Sequence, residues 1–497
     1  MGTVSVEHVQ SRPGAYADSV TLMQVTASAR AVGGVRAAMV AMATDLNLAL
    51  LAELGLAAPP GLRQQDLLVA IKADDPASLS AALEVVEGTL ADRPPTGGDE
   101  DAGPTLRPRT TSSAIARSGP GVALVSVPGR YAFAEAVDAL SRGCDVMIFS
   151  DNVPVEQEIA LKEMAAERGV LVMGPDCGTA IVGGIGLGFA NSVRPGPVGV
   201  VAASGTGAQQ LICLLDAAGV GCGAVLGVGG RDLSAEVGGR SARMALAVLE
   251  EDPATKLIVL VSKRPAPAVV AALNSYSRTL TTPVQFAFIA PGHDLTSAAE
   301  RAVRTMGRPV PEWPHWPATG RSRRIAGNLR GLFAGGTLCD EAVMIAAGRL
   351  GPIYSNVATD PALRIEPRSS LDQHSHVMID FGADELTGGR PHPMIDQRLR
   401  LDHLSAAAAD ETTAVIMLDV VLGYGAHPDP AAEIAPVIAV GKTKRDVEVV
   451  VSLIGTQADP QGLGAQAAAL AGAGAHVFAS NARAARFACD LLGRTHD

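Results

Sequence analysis

A turn of small and hydroxyl-bearing residues, Ala203-Ser204-Gly205-Thr206-Gly207, follows an apolar β-branched run and precedes a segment with helical spacing. This pattern predicts a strand, a tight turn and a helix whose first backbone N–H groups have no partner within the helix. Free N–H groups and the helix dipole favour an anion there, and Ser204 and Thr206 add hydroxyl donors. The sequence therefore predicts a phosphate or carboxylate site; the alternative is an ordinary turn in which Ser204 caps the helix.

The chain contains this arrangement twice. In the second copy, glycines and a threonine at 335–337 again separate an apolar segment from a helical pattern. An internal repeat of this kind predicts two similar α/β modules, whose two turns could face one site. A Gly-Gly pair also follows the first copy. The residues predicted to bind phosphate are Ser204, Gly205, Thr206, Gly207, Gly229, Gly230, Gly335, Gly336 and Thr337.

A dense cluster of polar residues follows the predicted strand at 377–379. Arg390 suits bidentate binding of a carboxylate or phosphate, and His392 suits acid–base chemistry or hydrogen-bond donation. We predict Arg390, His392 and Asp384 as catalytic residues at the carboxyl end of a strand. The alternative is a set of loops held together by hydrogen bonds. The carboxylates fit no closed metal site, so the one metal expected is Mg²⁺ carried in by a phosphate ligand.

Two more candidates lie in the loop Gly174-Pro175-Asp176-Cys177-Gly178-Thr179, which follows another predicted strand. Asp176 and Cys177 are predicted to contact the substrate or its phosphate. A nucleophilic Cys177 would need a base, and no histidine lies nearby in the sequence, so a structural cysteine is favoured. Lys263-Arg264 also follows a predicted strand, where cations can hold phosphate or carboxylate; solvated basic residues are the alternative.

The composition argues against several classes of protein. The 497 residues exceed one hydrophobic core and favour three or four domains. A net charge of −11 argues against a nucleic-acid or anionic-membrane partner. The sequence has no basic leader pattern and no uncharged run of about 18 residues, which predicts a cytoplasmic protein without a membrane span. Its six cysteines form no CxxC pair, so neither a disulfide framework nor a zinc site is indicated.

Alternating strands and helices predict a multidomain α/β protein. Residues 1–91 are predicted to form a small ferredoxin-like domain, with strands at Ser19–Val25 and Val35–Met42. Doubly wound, flavodoxin-like or Rossmann-like modules are predicted to follow. The predicted divisions are a linker at 92–113, a truncated Rossmann module at 114–196, an α/β module at 197–307, a linker at 308–325 and a second α/β module at 326–497.

Several motifs resemble those of the FdrA family, and the resemblance covers nearly the whole chain. Two of them, near residues 390 and 424, are long and specific. The resemblance identifies the chain as a member of that family. The motifs are Tyr16–Met23, Gly174–Ala180, Ala203–Gly207, Gly389–Asp396 and Leu418–Asp429.

The later part of the chain is also similar to succinyl-CoA synthetase and other NDP-forming acyl-CoA synthetases. Gly174–Thr179 resembles the synthetase's Gly-Pro-Asn-Cys loop, and Ser204-Gly205-Thr206 resembles its Ser-Gly-Thr phosphate turn. The glycine-rich CoA-binding turn is replaced here by the N-terminal domain and linker. The synthetase's phosphorylated histidine lies in a Gly-His-Ala-Gly loop, of which Pro291-Gly292-His293-Asp294 keeps the first half. Lys263-Arg264 stands near the position of a glutamate that supports that histidine, and no ATP-grasp domain is visible.

FdrA-type proteins are linked to oxamate carbamoyltransfer, which breaks down allantoin-derived ureido compounds and involves two further proteins. The resemblance therefore implies an oligomeric carbamoyltransferase subunit that acts on carbamoyl phosphate and oxamate or a related amide. Two alternatives remain. One is an NDP-forming acyl-CoA synthetase that binds CoA and nucleotide, and the other is a non-catalytic scaffold for the partner subunits.

Overall fold

The computed structural model describes residues 5–15, 17, 19–91, 108–319, 324–366, 375–387 and 390–492. Contacts divide the chain into two compact units. The first comprises Met1–Arg109 and Gly388–Pro391, and the second comprises Thr110–Thr387 and His392–Asp497. Among the described residues, none of the helices combines the length and apolar character that a membrane span requires.

The first unit is a small α/β sandwich. Its elements are β1 (Val6–Arg12), α1 (Ser19–Arg30), β2 (Val35–Met42), α2 (Asp45–Glu53), β3 (Leu67–Ala73) and α3 (Pro76–Ala91). The strands are antiparallel in the order β1-β3-β2. Successive residues of β3 face opposite sides, so Val69 packs with α1 and α3, whereas Leu68 packs with α2. The predicted small N-terminal α/β domain is confirmed.

One element of this unit was predicted wrongly. Ser19–Val25 is not a strand but the beginning of α1. Leu22, Val25 and Ala29 are buried at helical spacing, and they contribute to the core under the sheet. A short apolar run does not distinguish the two periods, so the tertiary packing decided between them. The strand position is taken instead by β1, which the sequence analysis did not predict.

The second unit begins with a small parallel sheet. Its first elements are α4 (Thr111–Ser118), β4 (Val122–Val125), α5 (Gly129–Leu140), β5 (Asp145–Ile148), α6 (Val155–Arg168) and β6 (Val172–Met173). The strands pair in the order β4-β5-β6. Residues 111–113, predicted as linker, form the first turn of α4, because Thr110 and Ser113 make a capping box.

A buried group of charges joins this sheet to the module that follows. Lys162 of α6 donates to Glu158 at 2.7 Å and to Asp232 at 2.8 Å. All three side chains are buried. The carboxylate of Asp232 also accepts hydrogen bonds from the backbone N–H groups of Ser241 and Ala242. The buried ammonium and carboxylates are therefore compensated by one another.

The next module is a six-stranded sheet. Its elements are β7 (Thr179–Val182), β8 (Ile185–Gly188), β9 (Val198–Ala202), α7 (Gly205–Ala217), β10 (Val225–Gly227), α8 (Arg240–Glu251), β11 (Leu257–Ser262), α9 (Pro267–Ser277), β12 (Val284–Phe288) and α10 (Leu295–Thr305). The strand order is β12-β11-β9-β10-β7-β8. Strands β9 to β12 are parallel, and β7 and β8 add an antiparallel hairpin.

The last module is a seven-stranded sheet with the order β13-β19-β18-β17-β14-β16-β15. Residues 308–325, predicted as a linker, contribute its edge strand β13 and the buried Trp313. Its elements are β13 (His315–Trp316), β14 (Asn328–Phe333), α11 (Gly336–Leu350), β15 (Tyr354–Ser355), β16 (Val377–Asp380), α12 (Asp384–Thr387), α13 (Arg398–Ala409), β17 (Thr413–Val421), α14 (Pro430–Lys444), β18 (Glu448–Ile454), α15 (Leu463–Gly472), β19 (Ala475–Phe478) and α16 (Asn481–Leu491), with a short 3₁₀ turn at Pro361–Leu363.

The two large sheets share the same central strand arrangement. The first parallel strand of each lies inside the sheet: β9 lies between β10 and β11, and β14 lies between β16 and β17, with the short β15 added beyond β16. This is the flavodoxin-like order, in which ligands bind where the strand order reverses. Helices α7 and α11 begin at these two points. The predicted repeat of doubly wound modules is confirmed.

The two modules also cap one another's last helices in the same way. The side chain of Gln210 in α7 accepts a hydrogen bond from the N–H of Asn481, the first residue of α16, at 2.8 Å. Glu341 in α11 accepts one from the N–H of Leu295, the first residue of α10, at 2.6 Å. Gln210 and Glu341 occupy the same position relative to the start of their helices, and both are fully buried.

The two caps differ in charge, because the acceptor on α16 is the amide of Gln210 and the acceptor on α10 is the carboxyl group of Glu341. Burial raises the pKa of Glu341 to about 7, although its hydrogen bond with Leu295 favours the ionised form. A carboxyl group whose folded pKa lies above its unfolded pKa stabilises the fold at low pH, and this stabilisation disappears as the pH rises from the unfolded to the folded value.

We predict that Glu341→Gln makes the unfolding free energy less dependent on pH. Wild type should lose about 1.4 kcal/mol for each pH unit between about 4.5 and 7 through this group, and the amide cannot ionise. The advantage of the variant in urea unfolding should therefore be larger at pH 8 than at pH 5.

Gln210→Glu is the matched control, because it places a carboxyl group at the equivalent buried position. It should add a loss of stability with rising pH. An equal difference between Glu341→Gln and wild type at both pH values would contradict the assignment of a raised pKa to Glu341.

Candidate functional site

The N-termini of α7 and α11 face each other at the carboxyl ends of the two large sheets. Ser204 caps α7 by accepting a hydrogen bond from the N–H of Gly207 at 2.9 Å. Its Oγ also lies 2.6 Å from Oγ1 of Thr337 in α11. A Cβ on Gly335 would lie only 2.8 Å from Cγ2 of Thr206, so a side chain there would force the turns apart. The structure therefore brings together the two turns that the sequence singled out.

These turns present unused donors. Within the described part of the chain, the N–H groups of Gly205, Thr206, Gly336 and Thr337 make no recorded hydrogen bond. The two helix dipoles place partial positive charge at the same point. One proton of the Ser204–Thr337 hydroxyl pair is used in the contact between them, which leaves one hydroxyl proton and the four N–H groups, a set of donors suited to an anion with several oxygens.

A cation from the first large module reaches the start of α11. Lys263 follows β11, and its Nζ lies 2.9 Å from the position that a Cβ on Gly336 would occupy. Lys263 pairs with Asp340 at 3.4 Å, and Arg264 pairs with the same carboxylate at 3.0 Å. Burial lowers the pKa of Lys263, but the charges of Asp340 and Asp380 outweigh this effect and leave the pKa raised. The ammonium therefore keeps its proton at neutral pH.

Asp380 ends β16 on the other side of the same point. Its Oδ1 accepts a hydrogen bond from the N–H of Gly382 at 2.9 Å, and Asn356 exchanges two hydrogen bonds with its backbone. Its Oδ2 lies 2.5 Å from the position of a Cβ on Gly336, which is why only glycine fits there. Burial raises the pKa of Asp380 to about 7, although the charge of Lys263 opposes this effect.

The second turn is held by an aspartate inside a strand. Asp419 lies within the fully buried β17 and accepts hydrogen bonds from the N–H groups of Ala334 and Gly335 at 2.7 and 2.8 Å. Arg400 of α13 bonds the same carboxylate at 2.7 Å. Sequence reasoning missed both residues. A carboxylate within an apolar strand was the available signal, because buried carboxylates need partners.

His392 lies beside this group as a neutral imidazole. Its Nε2 is 2.8 Å from the position of a Cβ on Gly382, and its Nδ1 accepts a hydrogen bond from the N–H of Met394 at 3.2 Å. Burial and then the charge of Arg400 lower the pKa of His392 to about 4. With Nδ1 accepting, the single proton of the neutral ring lies on Nε2. His392 is therefore a hydrogen-bond donor in this arrangement and a weak base.

Asp176 and Asp384 lie at the rim of the second unit. Both residues keep exposed surface, although the carboxyl group of Asp176 is largely withdrawn from water. This desolvation, followed by the charge of Asp384, raises the pKa of Asp176 to about 6. Asp176 Oδ2 lies 3.6 Å from the position of a Cβ on Gly230, while Gly229 packs against the backbone of Pro175. The predicted loop and the predicted glycine pair therefore lie together.

Two further predicted residues are Cys177 and Arg390. Cys177 is buried in the core shared by the small sheet and the first large module, where its sulfur faces the carbonyl oxygen of Thr179. Burial raises the pKa of its thiol to about 12, which excludes a thiolate nucleophile near neutral pH. Arg390 is exposed and belongs by its contacts to the first unit, and its role in substrate binding stays a prediction.

No group of three or more His, Cys, Asp or Glu side chains is placed to hold a metal ion in the ranges that the structure describes. The carboxylates of the site are engaged otherwise: Asp419 bonds backbone N–H groups and Arg400, and Asp340 pairs with Lys263 and Arg264. The site therefore consists of helix N-termini, hydroxyl groups and ionised or neutral side chains.

Two family models match the chain. The CoA-ligase model matches residues 332–491, which include α11 and the second turn. A model described as AllF, heavy metal-associated domain, matches residues 4–105. The protein YahF of Escherichia coli (strain K12) is 35% identical over 512 residues, which cover 97% of this chain and 98% of YahF.

More distant similarity extends to ligases. Subunit alpha 2 of the ADP-forming succinate–CoA ligase of Archaeoglobus fulgidus is 28% identical over 189 residues, which cover 37% of this chain and 63% of that subunit. Among solved structures, the dinucleotide-forming acetyl-coenzyme A synthetase 1 of Ca. Korarchaeum cryptofilum covers 75% of this chain and 82% of its own, with 14% identity and a TM-score of 0.27.

We predict that the thiols of the native chain resist modification. All six cysteines are buried, and burial raises the pKa of several of their thiols, including Cys177. At pH 8, titration with a disulfide reagent should detect no rapidly reacting thiol in the folded protein, whereas guanidinium should expose all six. A rapidly reacting thiol in the folded wild type that disappears in Cys177→Ser would contradict the buried placement of Cys177.

Proposed function

The chain belongs to the FdrA family, whose ligase portion is acyl-CoA-synthetase-like, and from this premise we propose that it binds the phosphoryl group of an acyl phosphate. The binding place is the space between the N-termini of α7 and α11. The reaction is transfer of the acyl group to an acceptor, with release of phosphate, or its reverse.

The observation that carries this proposal is the convergence of the two turns next to Lys263. A phosphoryl group needs several donors directed at its oxygens and a nearby positive charge. The remaining proton of the Ser204–Thr337 hydroxyl pair, the free N–H groups and the ammonium of Lys263 meet this requirement. Each donor is fixed by a helix cap or an ion pair before any ligand binds, so little reorganisation is needed.

The same donors would assist the transfer step. As the acceptor attacks the acyl carbon, negative charge grows on the departing phosphate oxygens. Helix dipoles and a fixed ammonium stabilise this charge without a covalent intermediate on the protein. The neutral Nε2–H of His392 is available to donate to the carbonyl oxygen of the acyl group.

The match to the CoA-ligase model and to a succinate–CoA ligase subunit supports a thiol such as that of CoA as one acceptor. Coupling a carboxylic acid to a thiol requires activation of the carboxylate, and an acyl phosphate is such an activated form. The region that would hold CoA is the small sheet β4-β5-β6.

A second candidate is carbamoyl transfer between phosphate and oxamate, because carbamoyl phosphate is itself an acyl phosphate. The small parallel sheet has only the strands β4, β5 and β6 in the described part of the chain, and the sequence has no glycine-rich CoA turn before it. Lys263, rather than a glutamate, lies at the anion site, and His293 is exposed in its loop. These features favour an acyl phosphate over a phosphohistidine. In this version two further proteins complete the enzyme.

We predict that inorganic phosphate and acyl phosphates raise the melting temperature of the chain. A ligand that binds only the folded state at 100 times its dissociation constant stabilises it by about 2.7 kcal/mol. In Lys263→Met, at least a tenfold higher ligand concentration should be needed for the same rise in melting temperature. Lys256→Met is the matched control, because that exposed lysine precedes β11, at the opposite end of the strand from Lys263.

Separate ligands distinguish the two versions. Stabilisation by CoA together with acetyl phosphate would support the thiol acceptor. Stabilisation by carbamoyl phosphate together with oxamate, without an effect of CoA, would support carbamoyl transfer. If neither phosphate nor any acyl phosphate shifts the melting temperature of wild type, the proposed phosphoryl site is wrong.

A further inference from the structure

We propose that Asp380 contacts the bound phosphoryl group in its neutral form and donates a hydrogen bond to it from Oδ2. This inference rests on the proposed function, and it adds Asp380 as a hydrogen-bond donor at the same phosphoryl site. Asp380 opens the polar cluster that follows the strand at 377–379, but the residues predicted there as catalytic were Arg390, His392 and Asp384.

The geometry of Asp380 is the first argument. The side chain is 5% exposed, so it is nearly sealed within the protein. Its Oδ1 bonds the N–H of Gly382, while Oδ2 has no recorded hydrogen bond and points at the first residue of α11, Gly336. An oxygen aimed at the N-terminus of a fifteen-residue helix, beside free N–H groups, lies where an anion would bind.

The surrounding charges are the second argument. Lys263 Nζ and Asp380 Oδ2 lie 2.9 and 2.5 Å from the same point, the position that a Cβ on Gly336 would occupy. From α11 the group faces Asp340 and the thiol of Cys339, and from β17 it faces Asp419. The carboxylate of Asp419 is paired with Arg400 of α13, and Asp340 is paired with Lys263 and Arg264. The nearby His392 is neutral.

An anion at this position would therefore meet one unpaired carboxyl oxygen. If Asp380 stayed ionised, it would repel the ligand at hydrogen-bond distance. With a proton on Oδ2, the same oxygen becomes a donor. Burial already raises the pKa of Asp380 to about 7 without a ligand, so proton uptake on binding requires only a small further shift. Lys263 stays protonated and does not titrate in this range.

The proton has a direct use in the transfer step. The acceptor's lone pair forms a bond to the acyl carbon while the bond between that carbon and the phosphate oxygen breaks. The electron pair stays on the phosphate oxygen, which takes the proton from Asp380. The acceptor then releases its own N–H or S–H proton, which restores Asp380. Protons and electrons balance without another reactant.

Sulfate is the probe for the test, because it remains a dianion between pH 6 and 8 and does not itself titrate. Isothermal titration of the full chain in two buffers with different ionisation enthalpies measures the protons taken up on binding. We expect uptake close to one proton at pH 8 and little at pH 6. The sulfate affinity should fall about tenfold for each pH unit above 7.

Asp380→Asn should bind sulfate without proton uptake and at least tenfold more tightly than wild type at pH 8. The amide can still accept the hydrogen bond from Gly382. Asp340→Asn is the matched control, because it removes a nearby carboxylate that is already paired; proton uptake should persist in it.

The outcomes separate the two proposals. One outcome is that wild type binds sulfate at pH 8 without proton uptake, while Lys263→Met binds it more weakly. This result would overturn the role of Asp380 but would support the phosphoryl site. Proton uptake that persists in Asp380→Asn would also overturn that role. If sulfate does not bind, or if Lys263→Met binds it as tightly as wild type does, the proposed phosphoryl site itself is wrong.

Discussion

Two helix N-termini that point at each other impose the main electrostatic constraint on the second unit. Like ends of two helix dipoles repel, and their first N–H groups lack partners. The fold keeps them together through the hydroxyl contact of Ser204 with Thr337, through the carboxylate of Asp419 on the second turn, and through the exchanged caps of Gln210 and Glu341. An anionic ligand would relieve the remaining positive potential.

This constraint also explains why acidic groups are concentrated around a predicted anion site. Asp419 and Asp340 are bound by arginine and lysine side chains, so they act as part of the scaffold. Asp380 keeps one oxygen without a recorded partner and has a pKa near neutrality. Charge at the site therefore depends on one carboxyl group, whereas the ammonium of Lys263 and the neutral ring of His392 remain constant near neutral pH.

Family membership and local chemistry complement each other here. The chain shares the acyl-CoA-synthetase-like scaffold of its family, including the CoA-ligase match over residues 332–491. Its own residues depart from the ligase pattern where the chemistry would be most specific. Lys263 lies at the proposed anion site, and the parallel sheet that would hold CoA has three strands among the residues described. Both versions of the proposed reaction share the phosphoryl site and differ in the acceptor.

The sequence by itself determined the repeat, the doubly wound modules and the turns at Ser204 and Gly335, because β-branched runs, glycines and helical spacing act over a few neighbouring residues. It did not determine that Ser19–Val25 is helical, that Cys177 is buried, or that Arg390 belongs to the first unit. Nor did it identify Asp380, Asp419 and Arg400 as the groups around the second turn. Those outcomes depend on which strands become neighbours, because burial and pairing across distant segments decide a side chain's packing, its pKa and its access to a ligand.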